Sequence, residues 1–236
     1  MVFAIGVALA TVAGMIASPI SSVYPNMGSQ VLIMCFVVVV IGGSQGAHRL
    51  NLAVVEALPM LAGERERIQF IHATGPRDLA AVRQEYNVEG YRATVEPFFQ
   101  AMAEVYAAAD LCFCRAGAGT VAELCALGKP SVLIPFPFAA NDHQRYNAEA
   151  LIASGGARMV LDRDLSGVLV AECIRTFLRD RQGLEEMARR AKVLAKPDAA
   201  TRLADLVTQT VRQAPGARLR VFSPELRRRI RNCGHV

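Results

Sequence analysis

The sequence predicts an α/β fold built on a parallel, doubly wound sheet, with a hydrophobic N-terminal extension before it and a helical C-terminal region after it. Three observations predict it. Short, near-continuous apolar runs recur along the chain, as in VVVVI at 37–41 and VLI at 132–134, and strands buried on both faces of a sheet read this way. Helix-forming sequence follows most of these runs, and repeated strand–helix units pack as a parallel sheet between helices. Small residues end two of the runs, GGSQG at 42–46 and AGAG at 116–119, and in such sheets ligands bind beyond the carboxyl ends of the strands.

Residues 1–22 carry no charged side chain, and Gly6, Gly14 and Pro19 interrupt their apolar surface. They read either as a signal-like or membrane-embedded helix or as the remnant of a missing upstream domain. The expected organisation is a leader or remnant over 1–30, a main domain over 31–212 and a basic tail over 213–236. The run 31–41 is too short to span a bilayer as a helix and, rich in Val before Gly42-Gly43, predicts the first strand. Five more follow: IQFIHATG at 68–75, YRATVEPF at 91–98, LCFCRAG at 111–117, PSVLIPFP at 130–137 and ARMVL at 157–161. From about Leu169 the chain turns helical with amphipathic spacing through 170–195, and Pro197-Asp198-Ala199-Ala200 starts another helix.

With 236 residues, 53% of them hydrophobic, the chain has material for one large α/β domain with appendages. A net charge of +5 suits acidic partners such as nucleotide phosphates or anionic lipid. Nucleic acid is disfavoured, because aromatics are only 6%, Trp is absent and no basic–aromatic recognition motif occurs. Six cysteines without CxxC spacing read as core thiols of a reducing compartment.

The stretch 115–147 carries most of the functional signal. A strand over Leu111–Cys114 runs into Ala116, Gly117, Ala118 and Gly119, and Thr120 is expected to open a helix. The N–H donors and positive dipole end of such a helix start make an anion site. Glu123, three residues on, reads as a buried acid. Beside a phosphate cradle it suits a ribose hydroxyl; its plain alternative is a first-turn acid favoured by the dipole. Arg115 either faces a pyrophosphate or supports the loop through an ion pair, with support favoured. Asp142, His143, Gln144 and Asn147 offer donors and acceptors suited to sugar hydroxyls, the plain alternative being helix capping with Asn141 or Asp142 as N-cap. Gln144 and Asn147 lie one turn apart and face the same way.

In the other turn, Gly42, Gly43, Ser44, Gln45 and Gly46 could cradle a phosphate, with Ser44 offering a hydroxyl. The turn lacks GK[ST] and a full GxGxxG, which argues against a Walker-type ATPase and a dehydrogenase. His72 reads as a satisfied core histidine and His143 as an exposed or structural one. Asp162-Arg163-Asp164 spells D-x-D, yet between an apolar strand and Leu-Ser-Gly it reads as a turn and helix cap, so no metal is expected.

Three segments, GGSQGA at 42–47, AMAEVYAAADLCFCRAGAGTVAELCALGKPSVLIPFPFAANDHQRYNA at 101–148 and PDAATRLAD at 197–205, together resemble the carboxyl-terminal half of the MurG family. These are bacterial N-acetylglucosaminyltransferases that convert lipid I to lipid II in peptidoglycan synthesis. The resemblance implies a GT-B glycosyltransferase and, within it, the Rossmann-like domain that binds the donor UDP-N-acetylglucosamine (UDP-GlcNAc), with no cofactor. It implies Ser44 at the diphosphate and the backbone of Phe99 at the uracil edge. Ala118, Gly119, Thr120, Val121, Ala122 and Glu123 would hold diphosphate and ribose, with Glu123 on the ribose. Gln144 would contact the GlcNAc hydroxyls, supported by Asn147, and Gly43, Gln45, Gly46, Arg115 and Gly117 complete the supporting set. The implied partners are UDP-GlcNAc, a lipid-linked acceptor and a membrane surface, at the cytoplasmic face of the cell membrane.

Residues 1–30 match neither the family's acceptor-binding glycine loop nor its segment with a phosphate-binding arginine. The general base is therefore expected from a part missing here, and the chain is expected to bind donor but to transfer poorly alone. Two other readings stand: the donor subunit of a split lipid-linked transferase whose acceptor half is a separate subunit, and a non-catalytic nucleotide-sugar-binding fragment. A UDP-sugar 2-epimerase fits the pair of DHQ and GGSQGA less well.

Overall fold

A computed structural model describes residues 35–43 and 46–213; the hydrophobic extension, Ser44, Gln45 and the tail beyond 213 lie outside the described residues. Six strands make one parallel sheet: β1 (Phe36–Ile41), β2 (Ile68–Ala73), β3 (Arg92–Glu96), β4 (Leu111–Cys114), β5 (Ser131–Leu133) and β6 (Ala157–Met159). Their order is β3-β2-β1-β4-β5-β6. The sheet starts in the middle at β1, winds outward to β3, returns to lay β4 against β1 and then winds the other way. The winding therefore reverses between β1 and β4, whose last residues Ile41 and Cys114 are register partners. Doubly wound sheets bind ligands at this switch point.

Helices cover both faces. They are α1 (His48–Ala57), α2 (Leu79–Val88), α3 (Met102–Ala108), α4 (Ala118–Leu127), α5 (His143–Ala153), α6 (Gly167–Arg179) and α7 (Arg181–Val193). Alternate strand residues point to opposite faces. Val38, Val40, Phe70, Phe113 and Val132 therefore share one buried cluster with Leu50 and Val54 of α1 and Val170 and Ile174 of α6. Val39, Ile41, Cys112, Cys114 and Leu133 share the other with Val105 of α3, Leu124 of α4 and Leu151 of α5. Burial on both sides is why the central strands show no polar alternation.

The amphipathic stretch 170–195 is broken rather than continuous. At Asp180 the backbone leaves helical geometry, and its carboxylate accepts a bond from Gly183 N at 2.8 Å to cap α7. The described residues from 35 to 194 form one compact unit. The second unit, from Ala195, contains helix α8 (Ala199–Gln213), which begins where Pro197-Asp198 predicts. No helix among the described residues is long and apolar enough to cross a membrane.

Candidate functional site

The loops after β1 and β4 flank the switch point. In the first, Gly43 and Gly46 have φ of 82° and 78°, and Gly46 N donates to Gly43 O at 3.0 Å. A Cβ at Gly46 would stand 2.4 Å from the carbonyl oxygen of Thr74, so both the backbone sign and the close approach demand glycine. The predicted contributions of Ser44 and Gln45 fall outside the described residues. The loop delivers the chain into α1 with Ala47 at the N-cap, no side-chain cap and no acid in the first turn. The amide donors of that turn thus face the crevice end of the sheet.

In the second loop the helix starts two residues earlier than the sequence predicts. Gly117 is the N-cap and α4 begins at Ala118, again with no side-chain cap and no acid in its first turn. Ala118 and Gly119 carry no start signal of their own, which is why Thr120 looks like the opening residue. Glu123 accordingly sits on the second turn, and it is exposed rather than buried. A first-turn dipole role no longer accounts for it. A methyl group at Gly119 would meet no protein atom within 4 Å, so packing does not require glycine there.

Glu123 lies against the buried phenol of Tyr106, whose pKa is pushed far above the ordinary value by burial, with Cys114 and the Glu123 carboxylate adding to the effect. Phe99, in the loop after β3, is half-buried against the same core cluster. Thr120 and Val121 are half-buried, while Ala118 and Ala122 are exposed.

Arg115 is largely buried and committed to structure. Its Nη1 lies 2.6 Å from Asp162 Oδ1 and donates to the carbonyl oxygens of Ile134 and Pro135 at 3.3 and 3.4 Å. The guanidinium also stacks over Phe136, 5.5 Å from the ring centre. Asp162 opens a 3-10 turn over Asp162–Asp164 as predicted, but it caps no helix. Ser166 does that, accepting from Leu169 N at 3.3 Å.

The polar cluster after β5 joins the same region. Gln144 Oε1 accepts from Phe136 N at 3.0 Å, which leaves its amide N–H group directed elsewhere. Asn147 Nδ2 donates to Ala116 O at 3.1 Å, so Asn147 fastens α5 to the second glycine loop and not to Gln144. Asp142 occupies the N-cap position of α5 without making a capping bond. Both Asn141 and Asp142 are in the left-handed region, at φ of 51° and 55°, and the Asp142 carboxylate lies 3.8 Å from Arg145.

A second polar group was not legible in the sequence. Asn51 of α1 is buried and donates to Thr74 O at 2.9 Å and to Asp78 Oδ2 at 2.8 Å. Asp78 also meets His48 at 3.0 Å. Burial works against the charged form of Asp78, but bonds from His48 and Asn51 hold its pKa below the usual value. The one signal available is a polar residue on the apolar face of LNLAVVEAL at 50–58. Among the described residues no cluster of His, Cys, Asp or Glu could hold a metal ion.

Two bacterial proteins with the name UDP-N-acetylglucosamine--N-acetylmuramyl-(pentapeptide) pyrophosphoryl-undecaprenol N-acetylglucosamine transferase are similar to the chain. The one from Anaeromyxobacter sp. (strain K) is 48% identical over 178 residues, 75% of this chain and 46% of the relative. The one from Geotalea uraniireducens (strain Rf4) is 46% identical over 170 residues, 72% of this chain and 47% of the relative. The crystal structure of Acinetobacter baumannii MurG superposes with a TM-score of 0.67 at 32% identity, covering 74% of this chain and 50% of that one. The chain thus spans about half the length of the curated relatives it matches. Residues 37–203 match the glycosyltransferase family 28 C-terminal domain, and the chain belongs to that family.

Proposed function

We propose that the chain is the donor-binding half of an inverting glycosyltransferase that moves GlcNAc from UDP-GlcNAc to the lipid-linked acceptor lipid I. The observation that carries the reading is the placement of two uncapped helix N-termini, each behind a glycine loop, on either side of the switch point. Such a pair suits a diphosphate. The relatives' names supply the nucleotide sugar and the acceptor class.

In this reading Ser44, Gly43, Gly46 and the start of α4 from Ala118 to Ala122 receive the diphosphate. The exposed Glu123 accepts the ribose hydroxyls, and the backbone of Phe99 reads the uracil edge. Gln144 donates its amide N–H groups to GlcNAc hydroxyls while Phe136 N holds its oxygen. Arg115, Gly117 and Asn147 keep the second loop in place. An acceptor hydroxyl would displace UDP at the anomeric carbon with inversion. Amides at the start of α4 would stabilise the charge that develops on the departing diphosphate. The acceptor and its general base belong to the other half of the enzyme, carried by a further domain or a separate subunit. The enzyme would then work at the cytoplasmic face of the membrane.

Saturation-transfer NMR on the purified chain tests the reading. Transfer to the uracil, ribose and N-acetyl protons of UDP-GlcNAc is the expected result, with competition by UDP. Absence of transfer to a folded chain would contradict it.

A further inference from the structure

We infer that Asp162 is a positioning residue that ties the two glycine loops together, and that this tie governs how firmly a nucleotide diphosphate is held. The inference rests on the reading of those loops as a donor site. The Asp162 carboxylate divides between two arginines: Oδ1 meets Arg115 Nη1 at 2.6 Å, and Oδ2 meets Arg49 Nε at 3.3 Å. Arg115 immediately precedes Ala116-Gly117 of the second loop. Arg49 is the second residue of α1, directly behind Gly46-Ala47 of the first.

One carboxylate thus anchors both loops at the carboxyl end of the parallel sheet, through a residue that follows β6. The two arms differ in strength. Asp162 and Arg115 are 10% and 13% exposed, a sheltered pair that salt screens little, whereas Arg49 is 55% exposed. Two arginines share one acid, so a positive charge is left in excess behind two helix starts that already favour anions. Without Asp162, the Arg115 guanidinium would keep only neutral partners, the oxygens of Ile134 and Pro135 and the ring of Phe136, a costly arrangement for a largely buried cation. The second loop would then have to shift.

Two measurements on the full chain test the tie. In the first, amide hydrogen exchange compares wild type with Asp162→Asn and Arg49→Gln. Asp162→Asn is expected to speed exchange in both 42–47 and 115–119, and Arg49→Gln in 42–47 alone. The second is titration with UDP and with uridine. Asp162→Asn is expected to weaken UDP roughly tenfold, the scale of one charge-assisted hydrogen bond, with uridine unchanged. Arg49→Gln should weaken UDP by a smaller factor, also sparing uridine.

Unchanged exchange in both loops, or equal weakening of UDP and uridine, would overturn the inference. Should Asp162→Asn not fold, Arg49→Gln decides, because its half-exposed side chain can be replaced without opening the core. Failure of the wild type to bind UDP would count against the donor reading instead, and the exchange comparison would still decide the tie.

Discussion

The Nε2 atom of His72 lies 3.0 Å from Oδ1 of Asn51, and this contact fixes the proton of a fully buried imidazole. Asn51 spends its N–H group on Thr74 O and Asp78, so its oxygen must accept and His72 Nε2 must donate. His72 Nδ1 then accepts from the Tyr86 hydroxyl at 3.1 Å. The imidazole is neutral and every polar atom is paired, as expected for a core histidine.

Burial lowers the His72 pKa from 6.5 to about 3, the Asp78 charge opposing it only in part. The unfolded chain therefore takes up a proton near pH 6.5 that the folded chain refuses until about pH 3. This histidine's contribution is unaffected above pH 6.5 and is lost as pH falls between those values, at up to roughly 1.4 kcal/mol per unit. Urea unfolding of wild type and His72→Gln at pH 7, 5.5 and 4.5 checks it: the stability gap between them should narrow on acidification. A constant gap would contradict the assignment.

Asn51→Leu removes three bonds and leaves Thr74 O, Asp78 and His72 short of a partner. About 1–3 kcal/mol is expected for each buried group left unpaired. Equilibrium unfolding should show a loss at the upper end of single-site effects.

Gly46→Ala and Gly119→Ala should move in opposite directions. The first sets a Cβ 2.4 Å from Thr74 O at φ of 78° and should destabilise by more than about 1–2 kcal/mol. The second lies in a helix with no protein atom nearby and should stabilise by about 0.5–1 kcal/mol. If diphosphate oxygens approach Gly119, the stabilised variant should nonetheless bind UDP-GlcNAc more weakly. Thermal melts beside titrations separate the two effects.

Cys112 and Cys114 are buried in the sheet, and burial pushes the Cys112 thiol up to about 12 and Cys114 well up too. Neither should react with iodoacetamide at pH 8 until the chain unfolds. Peptide mapping with and without urea gives the answer.

All six strands were legible, because a sheet buried on both faces leaves its mark in local composition, as VVVVI does for β1. Alternation of strand and helix likewise foretold the parallel pairing. Helix α4 starts two residues before Thr120, although Ala118 and Gly119 look like loop in the sequence, and Glu123 is exposed because it lies on the helix face away from the buried Leu124 and Cys125. Asp162 reads in the sequence as a turn and helix cap, and nothing local points to an ion pair. Its partner Arg115 is 47 positions away, and only the return of the chain through β6 brings them together. Asn51 and Asp78 were missed for the same reason, since their bonds join α1 to the loop after β2.

Calorimetric titration of the folded chain with UDP-GlcNAc, comparing wild type with Glu123→Ala and Gln144→Ala, tests the donor-domain account most directly. Saturable binding is expected for the wild type. Glu123→Ala should lose about 1.5–3 kcal/mol of affinity, one charge-assisted bond to ribose, and should lower the melting temperature slightly because the buried Tyr106 hydroxyl loses its carboxylate neighbour. Gln144→Ala should weaken UDP-GlcNAc more than UDP. A folded wild-type chain that binds no UDP-GlcNAc would contradict the account, and unaltered affinity for Glu123→Ala would remove that residue from the site.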